Sequence, residues 1–292
     1  MGPQPYAKEQ VELPFRLHAT ALRTMAVWLP IVDPCSVERV EQMKIVVSGG
    51  TGQIGRKVVR QLEADGHQVV AAARATGVNV ATGEGLDAVL SGADVVIDVS
   101  NSGYFGAAEM QRFFETAGTT LLAAERRHHV RHHVALSVVG ADRLHSGYFR
   151  AKKIQEELVL ASGLPFTIVR STPFYEYLYN VVDQGGEGDE LRLPPVLIQP
   201  VAGQDVAHAL VRAAVAGPSN EIGEVAGPDA YLLPDIAEEI LTANEDCRTV
   251  SVDPEALYFG AQMNGAALVG GDHPRFGSTS FDDWLRHSLE VD

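Results

Sequence analysis

Hydrophobic and polar positions change period along this chain in a regular way. Lys44-Ile45-Val46-Val47-Ser48 is a short β-branched run, the composition expected of a parallel strand buried on both faces. The pattern after it predicts a helix over Gly52 to Asp65, a strand over Gln68 to Ala73, a short strand near Val78 to Val80 and a helix near Leu86 to Leu90. Asp94-Val95-Val96-Ile97-Asp98-Val99 reads as the next strand, followed by a helix over roughly Ala107 to Arg126 and a strand over His132 to Leu136. An amphipathic helix over Tyr148 to Ala161 and a strand over Phe166 to Val169 continue the alternation. Strands separated by helices require right-handed parallel crossovers, so the expected fold is α/β with a doubly wound parallel sheet.

Both ends depart from this rhythm. Residues 1 to 42 carry Pro3, Pro5, Pro14, Pro30 and Pro34 and hold no sustained period, so they read as a poorly ordered extension. Met43 stands directly before the first strand and is a candidate initiator. Beyond Pro173 the alternation turns irregular, with Gly185-Gly186-Glu187-Gly188 and Pro194-Pro195 marking loops, and a small substrate lobe is expected mainly in 173–292. The predicted organisation is an extension over 1–42 and one globular domain over 43–292. A hydrophobic content of 46% gives that domain a core that needs no disulfide or metal staple.

Charge narrows the partners. Twenty-three basic against 38 acidic side chains leave a formal charge of -15, which repels a phosphate backbone, so no nucleic-acid partner is expected. Cys35 and Cys247 are far apart and lack metal-ligand spacing, which fits a reduced, cytoplasmic protein. The longest apolar stretch, around Met25 to Val32, is broken by Pro30 and falls short of the ~20 residues of a membrane span. No small-residue cleavage pattern follows it, so neither a membrane segment nor a secretory signal is expected. The expected partner is a small-molecule substrate.

The chemistry begins at Gly49-Gly50-Thr51-Gly52-Gln53-Ile54-Gly55, which satisfies both G-x-G-x-x-G and G-x-x-G-x-x-G. Such spacing alone means little. Here it follows a strand and opens a helix, the context in which backbone N–H groups and a helix N-terminus meet a pyrophosphate. At the end of the second strand stands Arg74, with no acid to bond a ribose 2′-hydroxyl; an arginine there suits a 2′-phosphate. NADP(H) is therefore expected ahead of NAD(H), unless Arg74 is an ordinary surface cation. Ser100 and Asn101 follow the next strand at the crevice where the cofactor passes and are further candidate contacts; Asp98 could equally cap that turn.

Val46 to Gly55, joined to His133-Val134-Ala135-Leu136-Ser137-Val138-Val139-Gly140, resembles the short-chain dehydrogenase/reductase superfamily, and within it the atypical branch that includes NmrA-like proteins. Tyr148-Phe149-Arg150-Ala151-Lys152, Phe166 to Pro173, Gln199-Pro200-Val201 and Asp205-Val206-Ala207 extend the similarity from about Met43 to Ala216. The resemblance implies a Rossmann fold that binds NAD(P)(H). It also implies one of two activities, since the branch holds both quinone or ketone reductases and redox sensors without turnover.

The superfamily's reductases use a Ser-Tyr-Lys set, and the resemblance assigns it to Ser137, Tyr148 and Lys152. Y-x-x-x-K on a helix puts Tyr148 and Lys152 on one face, one turn apart. When hydride adds to a carbonyl, the oxygen gains negative charge and must receive a proton. A phenol of pKa ~10 needs a nearby ammonium to do this near neutrality. Lys152 would supply that charge and hold the nicotinamide ribose, while Ser137 would orient the substrate oxygen. The plainer alternatives are that Lys152 pairs with Glu156 and that Tyr148 packs on the sheet.

His128, His129, His132 and His133 look like a metal cluster, yet they lie where helix passes to strand and their side chains should diverge, so no metal is expected. Phe174, Tyr175, Tyr177 and Tyr179 follow the last predicted strand and suggest an aromatic-lined pocket for a flat ketone or quinone. Asp205 and His208 fall on a later helix and read as structural. Two functions follow: an NADPH-dependent oxidoreductase delivering hydride to a ketone or quinone, or a regulator that senses NADP and binds a protein partner without turnover; a third, a nucleotide-sugar epimerase, finds no feature suited to a diphosphate sugar.

Overall fold

The computed structural model describes residues 42–103, 106–184, 188–258, 260–263 and 265–289. The predicted extension over 1–42 lies, apart from Gln42, outside the described residues. Seven strands form one sheet: β1 (Lys44–Ser48), β2 (Gln68–Ala72), β3 (Val95–Asp98), β4 (His132–Val138), β5 (Phe166–Ser171), β6 (Ile222–Ala226) and β7 (Arg275–Phe276). Their order is β7-β6-β5-β4-β3-β1-β2 and every pairing is parallel. The order reverses between β1 and β3, which opens the crevice at the carboxyl ends of those strands.

The strand residues sort themselves by pleat. Ile45 and Val47 of β1 face the layer of α1 (Gln53–Ala64) and α6 (Gly203–Ala216), where they meet Val58, Leu62, Val206 and Leu210. Val46 faces the opposite layer and packs with Leu86 and Leu90 of α2 (Leu86–Leu90) and Leu121 of α3 (Ala107–Arg127). On that side α3 lies against α4 (Gly147–Ala161). The apolar run Ile45 to Val47, with no polar residue between, is thus explained by two covered faces.

Two expectations need correction. No strand forms at Val78 to Val80: a 3-10 turn occupies Arg74–Thr76, and Asn79 makes only an isolated bridge to Glu84. The final third is also less irregular than its sequence suggests. It contains α5 (Tyr175–Gln184), α6, α7 (Leu233–Ala243) and α8 (Phe281–Leu289), with two-stranded pairings such as Glu190–Leu193 with Thr249–Val252. Of these, α5, α7 and α8 share a separate core around Tyr175, Leu178, Ile236 and Phe281, whereas α6 packs on the sheet beside α1. Among the described residues no helix is long and apolar enough to cross a membrane.

Candidate functional site

The turn from β1 to α1 depends on its glycines. Gly49 takes φ +77°, a left-handed conformation, and a Cβ there would stand 2.9 Å from the backbone of Val99 and Ser100. A Cβ on Gly55 would overlap the Gly49 carbonyl and the Gly50 Cα, so α1 approaches the turn more closely than any side chain permits. Helix α1 starts with no side-chain cap on its N-terminal N–H groups and no acid in its first turn. An uncompensated helix N-terminus behind a side-chain-free turn fits the pyrophosphate of a dinucleotide.

A cavity of about 750 Å³ begins at this turn and runs along the carboxyl ends of β1 to β4. All but one of the predicted cofactor-binding and catalytic residues border it, from Gly49 and Thr51 through Arg74, Ser100 and Asn101 to Ser137, Tyr148 and Lys152. Gly50 is the exception. It lies beneath the turn, where a Cβ would come within 2.8 Å of Ala71 and the Val47 carbonyl, so it permits close packing and does not line the cavity. Ile54 borders the cavity and also packs into the core. Arg74 is exposed at the rim, immediately after β2. Asp98 accepts from the Ser100 backbone N–H at 3.0 Å, which fixes the turn that carries Ser100.

Lys152 is 4% exposed and its ammonium is held on several sides. It donates to the Leu136 carbonyl at 2.7 Å and to Gln155 Oε1, and it stands 4.6 Å from the Phe114 ring centroid. Gln155 Nε2 in turn donates to Asp98 Oδ2 at 2.8 Å. Burial pushes the Lys152 pKa down to about 8, while the charges of Asp98 and Glu156 oppose that fall. Tyr148, one turn earlier on α4, is half-buried and packs beside Met110, Phe114 and Ala151.

Ser137 is 1% exposed, and its hydroxyl donates to Glu156 Oε1 at 2.6 Å. Glu156 is locked by the Arg170 guanidinium through two bonds of 2.8 Å, and Arg170 also reaches Asp142 at 2.9 Å. Glu156 therefore serves β4 and β5; the alternative in which Lys152 pairs with Glu156 is not what forms, since Lys152 bonds Gln155. With its O–H directed at Glu156, the Ser137 hydroxyl can accept from a ligand but cannot donate to a carbonyl without rotating.

The four histidines diverge. His128 meets Asp87 at 2.8 Å, His132 meets Thr167 at 3.0 Å, and His133 meets Glu125 at 3.0 Å inside the core. His129 has a left-handed backbone at the end of α3. The aromatic group divides as well. Phe174 and Tyr177 border the cavity, whereas Tyr175 is buried against Trp284 and Tyr179 packs on the same indole. Asp205 accepts from Ser278 and the Thr279 N–H, and His208 meets Gln204. Sequence reasoning missed Gln155, whose only local signal is its i,i+3 spacing from Lys152, and Arg170, whose partners are distant in sequence.

The model of a family described as NAD(P)H-binding matches residues 49–216, more than half of the chain. The photosystem II assembly factor Ycf39 of Cyanophora paradoxa is 26% identical over 162 residues, 49% of this chain and 50% of that protein. The chain thus spans about half the length of this curated relative. Two solved structures show the same fold. UDP-glucose 4-epimerase from Thermotoga maritima, with UDP-glucose, has a TM-score of 0.66 at 16% identity, covering 85% of this chain and 98% of that one. NADPH-dependent quinone oxidoreductase from Escherichia coli, complexed with NADPH, has a TM-score of 0.62 at 19% identity, covering 84% and 99%.

Proposed function

The chain belongs to the NAD(P)H-binding family, and from that premise we propose that it is an NADPH-dependent oxidoreductase acting on the carbonyl of a small ketone or quinone. One observation carries the reading: Tyr148 and a buried, positively charged Lys152 border the same cavity that begins at the glycine turn. The turn and the α1 N-terminus would hold the pyrophosphate, Arg74 a 2′-phosphate, Ser100 and Asn101 the cofactor's path along the crevice, and Lys152 the nicotinamide ribose. When bound, the reduced nicotinamide supplies a hydride. Tyr148 gives its phenolic proton to the substrate oxygen, and the Lys152 ammonium stabilises the phenolate that remains. Phe174 and Tyr177 supply aromatic surface for a flat substrate.

A second reading, an NmrA-like sensor of NADP without turnover, is favoured by Ser137, whose proton is committed to Glu156. Following NADPH absorbance with a panel of quinones and aromatic ketones separates the two. Consumption that depends on Tyr148 supports the oxidoreductase; NADPH binding without consumption by any acceptor supports the sensor.

A further inference from the structure

Between the sheet and the helices α3 and α4 lie three basic groups, His133, Lys152 and Arg170, and three carboxylates, Glu125, Glu156 and Asp98, none more than 8% exposed. Charge held that far from water has to be matched. Two of the pairs are direct: Arg170 donates twice to Glu156 at 2.8 Å, with Asp142 on its other side, and His133 meets Glu125 at 3.0 Å. The third is not. Between the Lys152 ammonium and the Asp98 carboxylate stands Gln155, which accepts from Lys152 through Oε1 and donates through Nε2 to Asp98 Oδ2 at 2.8 Å. An ammonium can only donate and a carboxylate only accept, so the amide has one orientation that serves both. Asp98 Oδ1 is anchored in turn by the Ser100 N–H at 3.0 Å. Burial lowers the Lys152 pKa, and of the charges that oppose the fall Asp98 is the stronger, ahead of Glu156.

We propose that Asp98 is a positioning residue for the reaction: its carboxylate is the counter-charge of Lys152, and the Gln155 amide between them transmits that charge while keeping the two ions apart. The inference deepens the proposed oxidoreductase reading, since it assigns the group that keeps Lys152 cationic one turn from Tyr148. A direct ion pair would cancel much of the ammonium's field. With the amide interposed, that field still acts in the cavity Lys152 borders, where the Tyr148 phenolate forms. Leu136 and Gln155 take two of the three N–H bonds of the ammonium, which leaves one for a ligand.

The chain has five lysines, Lys8, Lys44, Lys57, Lys152 and Lys153, so in the full chain labelled with carbon-13 at the lysine ε position the Lys152 signal is identified by its loss in Lys152→Arg and titrated by NMR. Its midpoint should stand at about 8 in wild type. Asp98→Asn keeps a carbonyl for the Ser100 N–H, removes the charge and sets an NH2 group against Gln155. The midpoint should then fall by about one pH unit or more, a roughly tenfold change in the ratio of ammonium to amine. Asp98→Asn combined with Gln155→Glu returns the negative charge, now against Lys152, and the midpoint should recover to the wild-type value or higher. A residue that only holds the Ser100 turn or packs the core would show no such recovery. An unchanged midpoint in Asp98→Asn, or no recovery in the double variant, overturns the inference. If Asp98→Asn alone does not fold, the double variant decides: folded with a midpoint at or above wild type it supports the inference, and unfolded or with a lowered midpoint it overturns it. The titration needs no acceptor. NADPH consumption with a Lys152 midpoint indifferent to Asp98 removes the inference and spares the oxidoreductase reading, whereas an Asp98-dependent midpoint with no acceptor reduced leaves the counter-charge and removes the reaction.

Discussion

Replacing Gln155 with Leu keeps the shape of a buried side chain but removes two bonds, the one that Lys152 donates to it and the one it donates to Asp98. Both involve a charged partner, and such bonds contribute roughly 1.5–3 kcal/mol each. Near pH 6.5, Gln155→Leu should therefore cost about 3–6 kcal/mol, which at ~2–4 °C per kcal/mol lowers Tm by about 6–24 °C. The loss should also depend on pH. Lys152 titrates at about 8 in the folded protein and near ~10.4 when unfolded. The native state thus gives up this proton first, and its stability rises with pH from about 8 toward ~10.4. Without the Gln155 acceptor the folded pKa falls further, so in the variant this rise starts at lower pH. The gap between wild type and variant narrows by about 1.4 kcal/mol for each unit of added shift. Urea titrations across pH 6.5 to about 9.5, compared through their midpoints, measure that gap. A gap that stays constant or widens with pH would refute the assignment of Gln155 as the group positioning the Lys152 ammonium and would reduce it to packing.

Two further outcomes follow from residues at the rim and at the start of the domain. Arg74→Ala should erase most of the preference for NADPH over NADH, about one charged hydrogen-bonded contact, while NADH affinity stays within about twofold; an unchanged affinity ratio would show that Arg74 does not read the 2′-phosphate. A chain beginning at Met43 should bind NADPH with wild-type affinity and melt within a few degrees of the full chain; a large fall in Tm would show that residues 1–42 pack on the core.

The parts legible in the sequence are those whose cause is local. The β1 run is apolar at successive positions because the strand is covered twice, and the glycines after it are dictated by a turn within reach of a few residues. Val78 to Val80 shows where composition misleads: β-branched residues there meet no neighbouring strand beyond one bridge, and Val78 packs against α2 and α3. The helices α5 and α7 are short, and their place is set by the lobe core around Tyr175, Leu178, Ile236 and Phe281. At the site, the line from glycine turn to Tyr148 and Lys152 could be drawn in advance. The partner of Glu156 could not, because Arg170 and Ser137 reach it from β5 and β4 across the layer. Nor could the split of the four aromatics be foreseen, since Trp284 of α8 draws Tyr175 and Tyr179 away from the cavity.

The chemistry proposed for Tyr148 is open to one decisive measurement. NADPH consumption is followed with quinones and aromatic ketones for wild type and Tyr148→Phe, with NADPH affinity measured in parallel by fluorescence. Loss of a general acid predicts that kcat falls by roughly 10² to 10⁴ while NADPH affinity is almost unchanged. Near wild-type kcat in Tyr148→Phe, or tight NADPH binding with no acceptor reduced by either protein, would contradict it.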